Sequence, residues 1–176
     1  SPLISGISLE VKRGEIVALI GTNNSGKSVL IQTIAGKFTQ FDGDIKVGSY
    51  SLKNNAVQAK SQLGYLNAPP IFEPYLTGLE WLEIVGAAYN MPPKVRIERI
   101  LQLADRLGAK EDLYTLTERL SPAARQKVGL IASLFHNPVV TLWDEPTSGL
   151  DPIGQDDAVL LARDYVKGGG AILLAT

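Results

Sequence analysis

Cysteine is absent from this sequence of 176 residues, and histidine occurs only once. Without cysteine the chain can form neither a disulfide framework nor a thiolate metal site. This composition is compatible with a reducing compartment, so we expect a cytoplasmic protein.

Long hydrophobic runs are missing as well. The longest, such as residues 17–20 and 171–175, fall far short of the roughly 20 apolar residues that a membrane-spanning helix needs. The first residues do not show the pattern of a signal peptide. We therefore expect that any role at a membrane depends on a partner protein.

A strong excess of charge of either sign is also lacking, because the formal net charge is −1. This balance argues against nonspecific binding of nucleic acid by the whole surface, and we expect no nucleic-acid partner. Hydrophobic residues make up 45% of the chain, enough to bury a substantial core. The length predicts one domain with room for an inserted subdomain.

The strongest motif fits the pattern G-x-x-x-x-G-K-[ST] at every fixed position. It consists of Gly21, Thr22, Asn23, Asn24, Ser25, Gly26, Lys27 and Ser28. The apolar run before it, residues 15–20, predicts a parallel strand buried on both faces, and residues 27–35 after it predict a helix. Loop N–H groups and the positive helix end would face phosphate oxygens, with Lys27 on the β and γ phosphates and Ser28 on Mg²⁺. The alternative is a strand-to-helix turn that binds nothing.

A second candidate element follows the apolar run of residues 139–143, which predicts a buried strand. Asp144 and Glu145 come directly after it, at the edge where open α/β sheets bind ligands. Asp144 would hold Mg²⁺, usually through water, and Glu145 could orient or deprotonate the water that attacks the γ-phosphorus. The alternative is an acidic turn or helix cap.

The remaining pattern indicates helices inserted into an α/β core. Residues 7–11 alternate apolar and polar side chains, which predicts a half-buried strand that forms a hairpin with the strand before the phosphate loop. Residues 53–61 predict a polar surface segment. Thr77 and Glu80 have the spacing of a capping box, and the pattern is helical from there to residue 135. We expect a core of residues 1–68 and 139–176, with a helical subdomain at 69–138.

One longer run resembles a known family. The Asp-Glu-Pro-Thr-Ser-Gly-Leu-Asp-Pro sequence of residues 144–152 is similar to the Walker B and D-loop run of ATP-binding cassette (ABC) ATPases. Other segments of the chain follow the same order as in that family. They are residues 7–14, the phosphate loop, and residues 64–66, 76–77 and 120–121. The chain is identified as a member of this family.

The resemblance implies a P-loop NTPase fold, in which a RecA-like α/β core with a mainly parallel sheet carries an inserted α-helical subdomain. It implies ATP and Mg²⁺ as ligands, with Val29 added to the nucleotide-binding residues. It also implies a head-to-tail pair with a second nucleotide-binding domain, in which Ser121 faces the nucleotide of the other copy. Hydrolysis in that pair would drive a transmembrane permease, on the cytoplasmic face of the membrane.

The sequence departs from the family at the signature segment and at the Q-loop. The signature reads Leu-Ser-Pro-Ala-Ala-Arg-Gln at residues 120–126. Ser121 and Pro122 still predict a helix start, but alanines at former glycine positions, Ala123 and Ala124, would turn methyl groups toward the nucleotide. The Q-loop has Asn67 and Ala68 where relatives usually carry glutamine or glutamate. These departures favour one alternative, a nucleotide-binding module with little turnover that is the degenerate half of an asymmetric pair or a truncated product. A further alternative is a soluble ABC ATPase that serves no transporter.

The family's switch histidine would follow residue 176, and its adenine-stacking aromatic residue would precede residue 1. We therefore expect this chain to be part of a longer cassette domain. His136, in a proline-bounded turn after a helix, is interpreted as a surface or helix-end residue that cannot replace the switch histidine.

Overall fold

The computed structural model describes residues 4–22 and 24–176. Its strands are β1 (Ile16–Leu19), β2 (Lys46–Val47), β3 (Tyr50–Ser51), β4 (Leu63–Leu66), β5 (Val140–Asp144) and β6 (Ala171–Ala175). Its α-helices are α1 (Lys27–Ile34), α2 (Ala56–Ser61), α3 (Gly78–Ala88), α4 (Pro93–Arg106), α5 (Pro122–Leu134) and α6 (Pro152–Lys167). Two 3₁₀ helices, Asp112–Tyr114 and Thr117–Arg119, lie between α4 and α5.

The main sheet has four parallel strands in the order β1-β6-β5-β4, and β2 and β3 form a separate antiparallel pair. Parallel pairing of strands that alternate with helices confirms the predicted α/β class. It also brings the carboxyl ends of β1, β4 and β5 to the same edge of the sheet. That edge holds the chain segments for which the sequence predicts nucleotide chemistry.

The predicted entry hairpin is wrong. Residues 7–11 form no strand, and Ile7 remains 48% exposed. The turn itself forms, because the Lys12 N–H donates to Glu15 Oε2 at 2.9 Å and the Glu15 N–H donates to the Lys12 carbonyl at 3.1 Å. The turn at residues 12–14 therefore forms, whereas residues 7–11, with their alternating polarity, have no strand partner among the described residues.

The strand before the phosphate loop is also not buried on both faces, as the apolar run predicted. β1 lies at an edge of the main sheet and pairs with β6. Ile16 is 41% exposed and Ile20, just past the strand, is 83% exposed. An apolar run alone does not distinguish a central strand from an edge strand, because that depends on what pairs with it.

Local signals for helix ends are confirmed. Thr77 caps α3 by accepting from the Glu80 N–H at 3.2 Å, while Glu80 Oε2 accepts from the Thr77 N–H at 2.8 Å. The Thr77 hydroxyl also donates to Glu80 Oε2 at 2.8 Å, and the hydrogen bonds from the Thr77 N–H and hydroxyl lower the pKa of the Glu80 carboxyl. Asp151 caps α6 in the same manner, with Oδ1 accepting from the Gly154 N–H at 2.8 Å. The segment predicted only as polar surface contains α2, which buries Ala59 completely.

Helix α5 is the most buried helix and packs directly beneath the sheet. Ser133 on α5 accepts a hydrogen bond from the Trp143 indole of β5 at 2.9 Å, and its carbonyl accepts from Thr141 at 3.2 Å. Gly64 of β4 lies so close that a Cβ there would overlap the Ser133 carbonyl oxygen. This packing fixes β5, and hence Asp144 at its end, against the helical part of the chain.

Within the described residues, no helix combines the length and the hydropathy that a membrane-spanning segment requires.

Candidate functional site

The phosphate-loop residue Ser28 and the two predicted carboxylates, Asp144 and Glu145, come together at the carboxyl edge of the main sheet. Leu19 of β1 and Asp144 of β5 both lie beside Ala175 of β6, one from each side. The phosphate loop leaves β1 at this edge, and Asn67 follows β4 there. The site is therefore assembled by the strand order rather than by proximity in the sequence.

The phosphate loop folds around the Lys27 side chain. Its ammonium donates to the Gly21 carbonyl at 2.7 Å and to the Thr22 carbonyl at 3.1 Å. The Ser25 N–H also donates to the Thr22 carbonyl, at 3.2 Å. Asn23 lies outside the described residues.

The loop enters α1 through two left-handed residues, Asn24 with φ 64° and Gly26 with φ 92°. A Cβ at Gly26 would come within 2.5 Å of the Ile4 side chain, so the backbone here needs glycine. The first turn of α1, which includes half-buried Val29, contains no acidic residue. Its open N–H groups and positive helix end suit a phosphate group.

Ser28 and Asp144 link the loop to the end of β5. The Ser28 hydroxyl donates to Asp144 Oδ1 at 3.0 Å, and Asp144 is only 1% exposed. Hydroxyl and carboxylate oxygens are the hard ligands that Mg²⁺ prefers, so this pair fits the ion chemically. Among the described residues, no three or more acidic, histidine or cysteine side chains lie close enough together to hold a metal ion by themselves.

Glu145 has a left-handed backbone, with φ 47°, which is uncommon for a residue other than glycine. Its N–H donates to the Ala175 carbonyl at 2.9 Å. Its carbonyl accepts from the Ser148 N–H at 3.1 Å and from Gln126 Nε2 at 3.0 Å. These contacts hold the chain in an unfavourable conformation directly after Asp144.

Gln126 was not identified from the sequence as a site residue. Its amide, on α5, donates to the carbonyls of Glu145 and Pro146, which lie 19 and 20 positions further along the chain. No local pattern signals a contact over that separation.

The Q-loop position offers no polar side chain to the site. Asn67 Oδ1 accepts from Tyr65 at 2.7 Å and from Lys37 at 2.9 Å, while its Nδ2 donates to the Pro69 carbonyl at 2.6 Å. Burial, and next the charge of Asp144, raise the pKa of the Tyr65 hydroxyl to about 12, so it stays a donor. The Asn67 oxygen is thus occupied and does not replace the acceptor that Ala68 lacks.

Ser121 forms the N-cap of α5, as the sequence predicts, and its Oγ accepts from the Ala124 N–H at 3.1 Å. A hydroxyl that accepts in this way keeps its own hydrogen to donate to a ligand. The expectation that both alanine methyl groups face the nucleotide is wrong for Ala124, which is 4% exposed and packs in the core. Ala123 is half-buried.

His136 lies away from this edge. It lies just past the end of α5, as predicted, and it is half-buried rather than exposed at the surface. Its Nε2 lies 3.0 Å from the carbonyl of Leu63, at the start of β4, and its ring stacks on Tyr89 with 3.8 Å between centroids. Burial lowers its pKa to about 4. Its surroundings thus favour a neutral side chain with a structural role.

Comparisons with known proteins agree with the family resemblance of the sequence and with the fold. The profile of the family described as ABC transporter matches residues 4–148. The Uncharacterized ABC transporter ATP-binding protein YdbJ of Bacillus subtilis (strain 168) is 34% identical over 179 residues, which cover 99% of this chain and 56% of that protein. The chain therefore spans little more than half the length of this curated relative.

Two solved structures have closely similar folds. One, described as the ATP binding subunit of an ABC transporter, has a TM-score of 0.92 and 28% identity, and the match covers 99% of this chain and 72% of that one. The other is the dimeric ATP-binding cassette MJ0796 in a post-hydrolysis state with ADP and Pi. Its TM-score is 0.88 at 22% identity over 99% of this chain and 79% of that one, a likeness that concerns the fold alone.

Proposed function

This chain belongs to the ABC transporter family, and we propose that it binds and hydrolyses MgATP to energise transport. Its α/β fold is that of the P-loop ATPases of this family. The observation that carries the proposal is the 3.0 Å hydrogen bond between Ser28 and Asp144, which joins two nucleotide motifs 116 residues apart. Two motifs that are separate in sequence form one site at the sheet edge.

The residues of this site have distinct roles. The N–H groups of the phosphate loop and the Lys27 ammonium bind the β and γ phosphates of ATP. Ser28 and Asp144 hold Mg²⁺, which when bound neutralises negative charge on the transferred phosphoryl group. The Glu145 carboxylate orients the attacking water and accepts its proton.

The partners of the chain belong to the same proposal. A core of residues 1–68 and 139–176 carries the nucleotide site, and residues 69–138 form the helical subdomain. A second nucleotide-binding domain pairs with it head to tail, so that Ser121 faces the nucleotide on the other copy. The dimeric state of the MJ0796 structure supports a second nucleotide-binding domain as a partner. A transmembrane permease holds the pair on the cytoplasmic face of the membrane, in keeping with the transporter name of YdbJ.

A second candidate is a nucleotide-binding module with little turnover. The occupied amide of Asn67 and the apolar side chain of Ala68 favour it, because a polar group at the end of β4 is then missing from the site. Each lost contact to the reacting groups can raise the barrier by several kcal/mol. The two candidates agree on nucleotide binding and differ in the rate of hydrolysis.

The substitution Lys27→Ala tests the nucleotide-binding site. It removes a cation whose charge-assisted hydrogen bonds contribute about 1.5–3 kcal/mol, so MgATP affinity should fall by on the order of 10- to 100-fold. The measurement is a calorimetric titration of the full-length protein with MgATP. Lys60→Ala is the matched control, because the Lys60 ammonium also donates to a backbone carbonyl, that of Gly36 at 2.9 Å, but at the opposite end of α1. Unchanged affinity in Lys27→Ala would refute the site.

A further inference from the structure

The Gln126 side chain forms a direct link between helix α5 and the backbone of the proposed catalytic residue. Gln126 is 3% exposed, and its Nε2 donates to the Glu145 carbonyl at 3.0 Å and to the Pro146 carbonyl at 2.9 Å. An amide NH₂ group has two hydrogens in one plane, so both are used on consecutive carbonyls. The link is shielded from water and geometrically specific.

Glu145 needs such a link because its left-handed backbone persists only where its surroundings hold it. The Ala175 and Ser148 contacts come from the neighbouring strand and from the same loop. Gln126 is the contact that comes from the helical part of the chain. The position of α5 therefore bears on the conformation of Glu145.

The start of α5 is anchored on two sides. Arg125 Nη1 donates to the Thr117 carbonyl at 2.7 Å, which ties the helix to a 3₁₀ helix of the helical part. The next residue, Gln126, ties it to Glu145 and Pro146. Ser121 caps the same helix less than two turns earlier. Ser121, Arg125 and Gln126 thus belong to one short helical segment whose contacts reach Glu145.

We propose that Gln126 is a positioning residue that keeps Glu145 aligned for proton transfer and couples that alignment to the amino-terminal segment of α5. The inference rests on the proposed function, in which Glu145 accepts a proton from water. Because misplacement of a reacting group by about 1 Å can reduce a rate about 100-fold, loss of this link should slow turnover strongly without weakening nucleotide binding.

Two substitutions test the link. Gln126→Ala removes the whole amide, and Gln126→Met removes the donors while it keeps a side chain of similar volume. Gln155→Ala is the matched control, because Gln155 also donates to a backbone carbonyl of this region, that of Leu150 at 3.1 Å. Steady-state phosphate release by the full-length protein gives kcat and KM, and calorimetry gives the affinity for MgATP.

We expect kcat to fall about 10- to 100-fold in both Gln126 variants, with KM and MgATP affinity within about threefold of the unmodified protein. Gln155→Ala should leave all three quantities within about twofold. A residue that acts through Glu145 should add nothing once Glu145 is disabled. The double variant Gln126→Met with Glu145→Gln should therefore turn over no more slowly than Glu145→Gln alone.

The possible failures are distinguishable. If Glu145→Gln slows turnover and Gln126→Met does not, the link is overturned and the proposed function stands. If Gln126→Met slows the Glu145→Gln variant by the same factor by which it slows the unmodified protein, Gln126 does not act through Glu145. If both Gln126 variants lose MgATP binding, Gln126 is only a folding residue. If Glu145→Gln leaves turnover unchanged, the catalytic assignment fails and the inference fails with it.

Discussion

At the scale of single residues, the partners of a side chain decide what it can do. Asn67 lies at the edge of the site, yet Tyr65 and Lys37 donate to its oxygen and its nitrogen donates to the Pro69 carbonyl. Its oxygen already accepts two hydrogen bonds, so the acceptor of this amide does not make up for Ala68. Ser28 differs from Asn67, because its hydrogen bond to Asp144 brings together two oxygen atoms that suit a metal ion.

His136 should make the stability of the protein depend on pH. Its pKa is lowered from 6.5 to about 4 in the folded state, so the unfolded chain binds a proton more readily. The resulting stability is fully present above about pH 6.5, decreases as the pH falls below that, and is lost near pH 4. The shift corresponds to on the order of 3 kcal/mol.

Urea unfolding at pH 7 and pH 4.5 measures this dependence, with His136→Gln as the comparison. Carboxylates contribute to acid destabilisation in both proteins, so the difference between them isolates the imidazole. The unmodified protein should lose more stability on acidification than His136→Gln does. Equal losses would contradict the buried, neutral state of His136.

The burial of His136 could not be predicted from the sequence. Proline near a helix end indicates a turn, and turns usually lie at the surface. Here Leu63, which is 73 residues away, and Tyr89 cover the ring. Burial at a turn depends on which distant elements pack there, and a local pattern does not contain that information.

At the scale of elements, α5 and β5 depend on one buried hydroxyl. Ser133 Oγ accepts from the Trp143 indole at 2.9 Å and donates to the Leu130 carbonyl at 2.8 Å. Ser133→Ala leaves the indole N–H buried without that acceptor, which should reduce the free energy of unfolding by about 1–3 kcal/mol.

Ser61→Ala is a matched control for this substitution. Ser61 also donates to the carbonyl three residues before it, that of Gln58 at 2.8 Å, but it lies on the exposed helix α2. Chemical denaturation of the full-length proteins should show a loss for Ser133→Ala and little change for Ser61→Ala. Equal effects would mean that the contact with Trp143 contributes nothing.

Elements whose signals are local were predicted well. The capping box at Thr77 and the cap at Asp151 involve residues three positions apart, so the sequence contains both partners. The strand expected at residues 7–11 had the right alternation but required a neighbouring strand, and within residues 4–22 and 24–176 none pairs with it. Signals that need a distant partner are incomplete in a single sequence.

At the scale of the whole molecule, strand order determines the site. Because parallel strands end at the same edge, the phosphate loop after β1 and the two carboxylates after β5 were expected to meet, and Ser28 contacts Asp144. The same reasoning could not show that β1 is an edge strand or that Gln126 contacts Glu145. Those features depend on pairing and packing between segments far apart in the chain.

The central claim is that this edge of the sheet hydrolyses ATP, and the rate of phosphate release from saturating MgATP by the full-length protein tests it most directly. Replacing the Glu145 carboxylate by an amide, in Glu145→Gln, removes the proton acceptor and keeps the shape. Glu118→Gln, at an exposed position, is the control. The account predicts that Glu145→Gln releases phosphate at least about 100-fold more slowly while MgATP affinity stays within about threefold. Equal rates in the unmodified protein and Glu145→Gln, or no release above background by either, would contradict it.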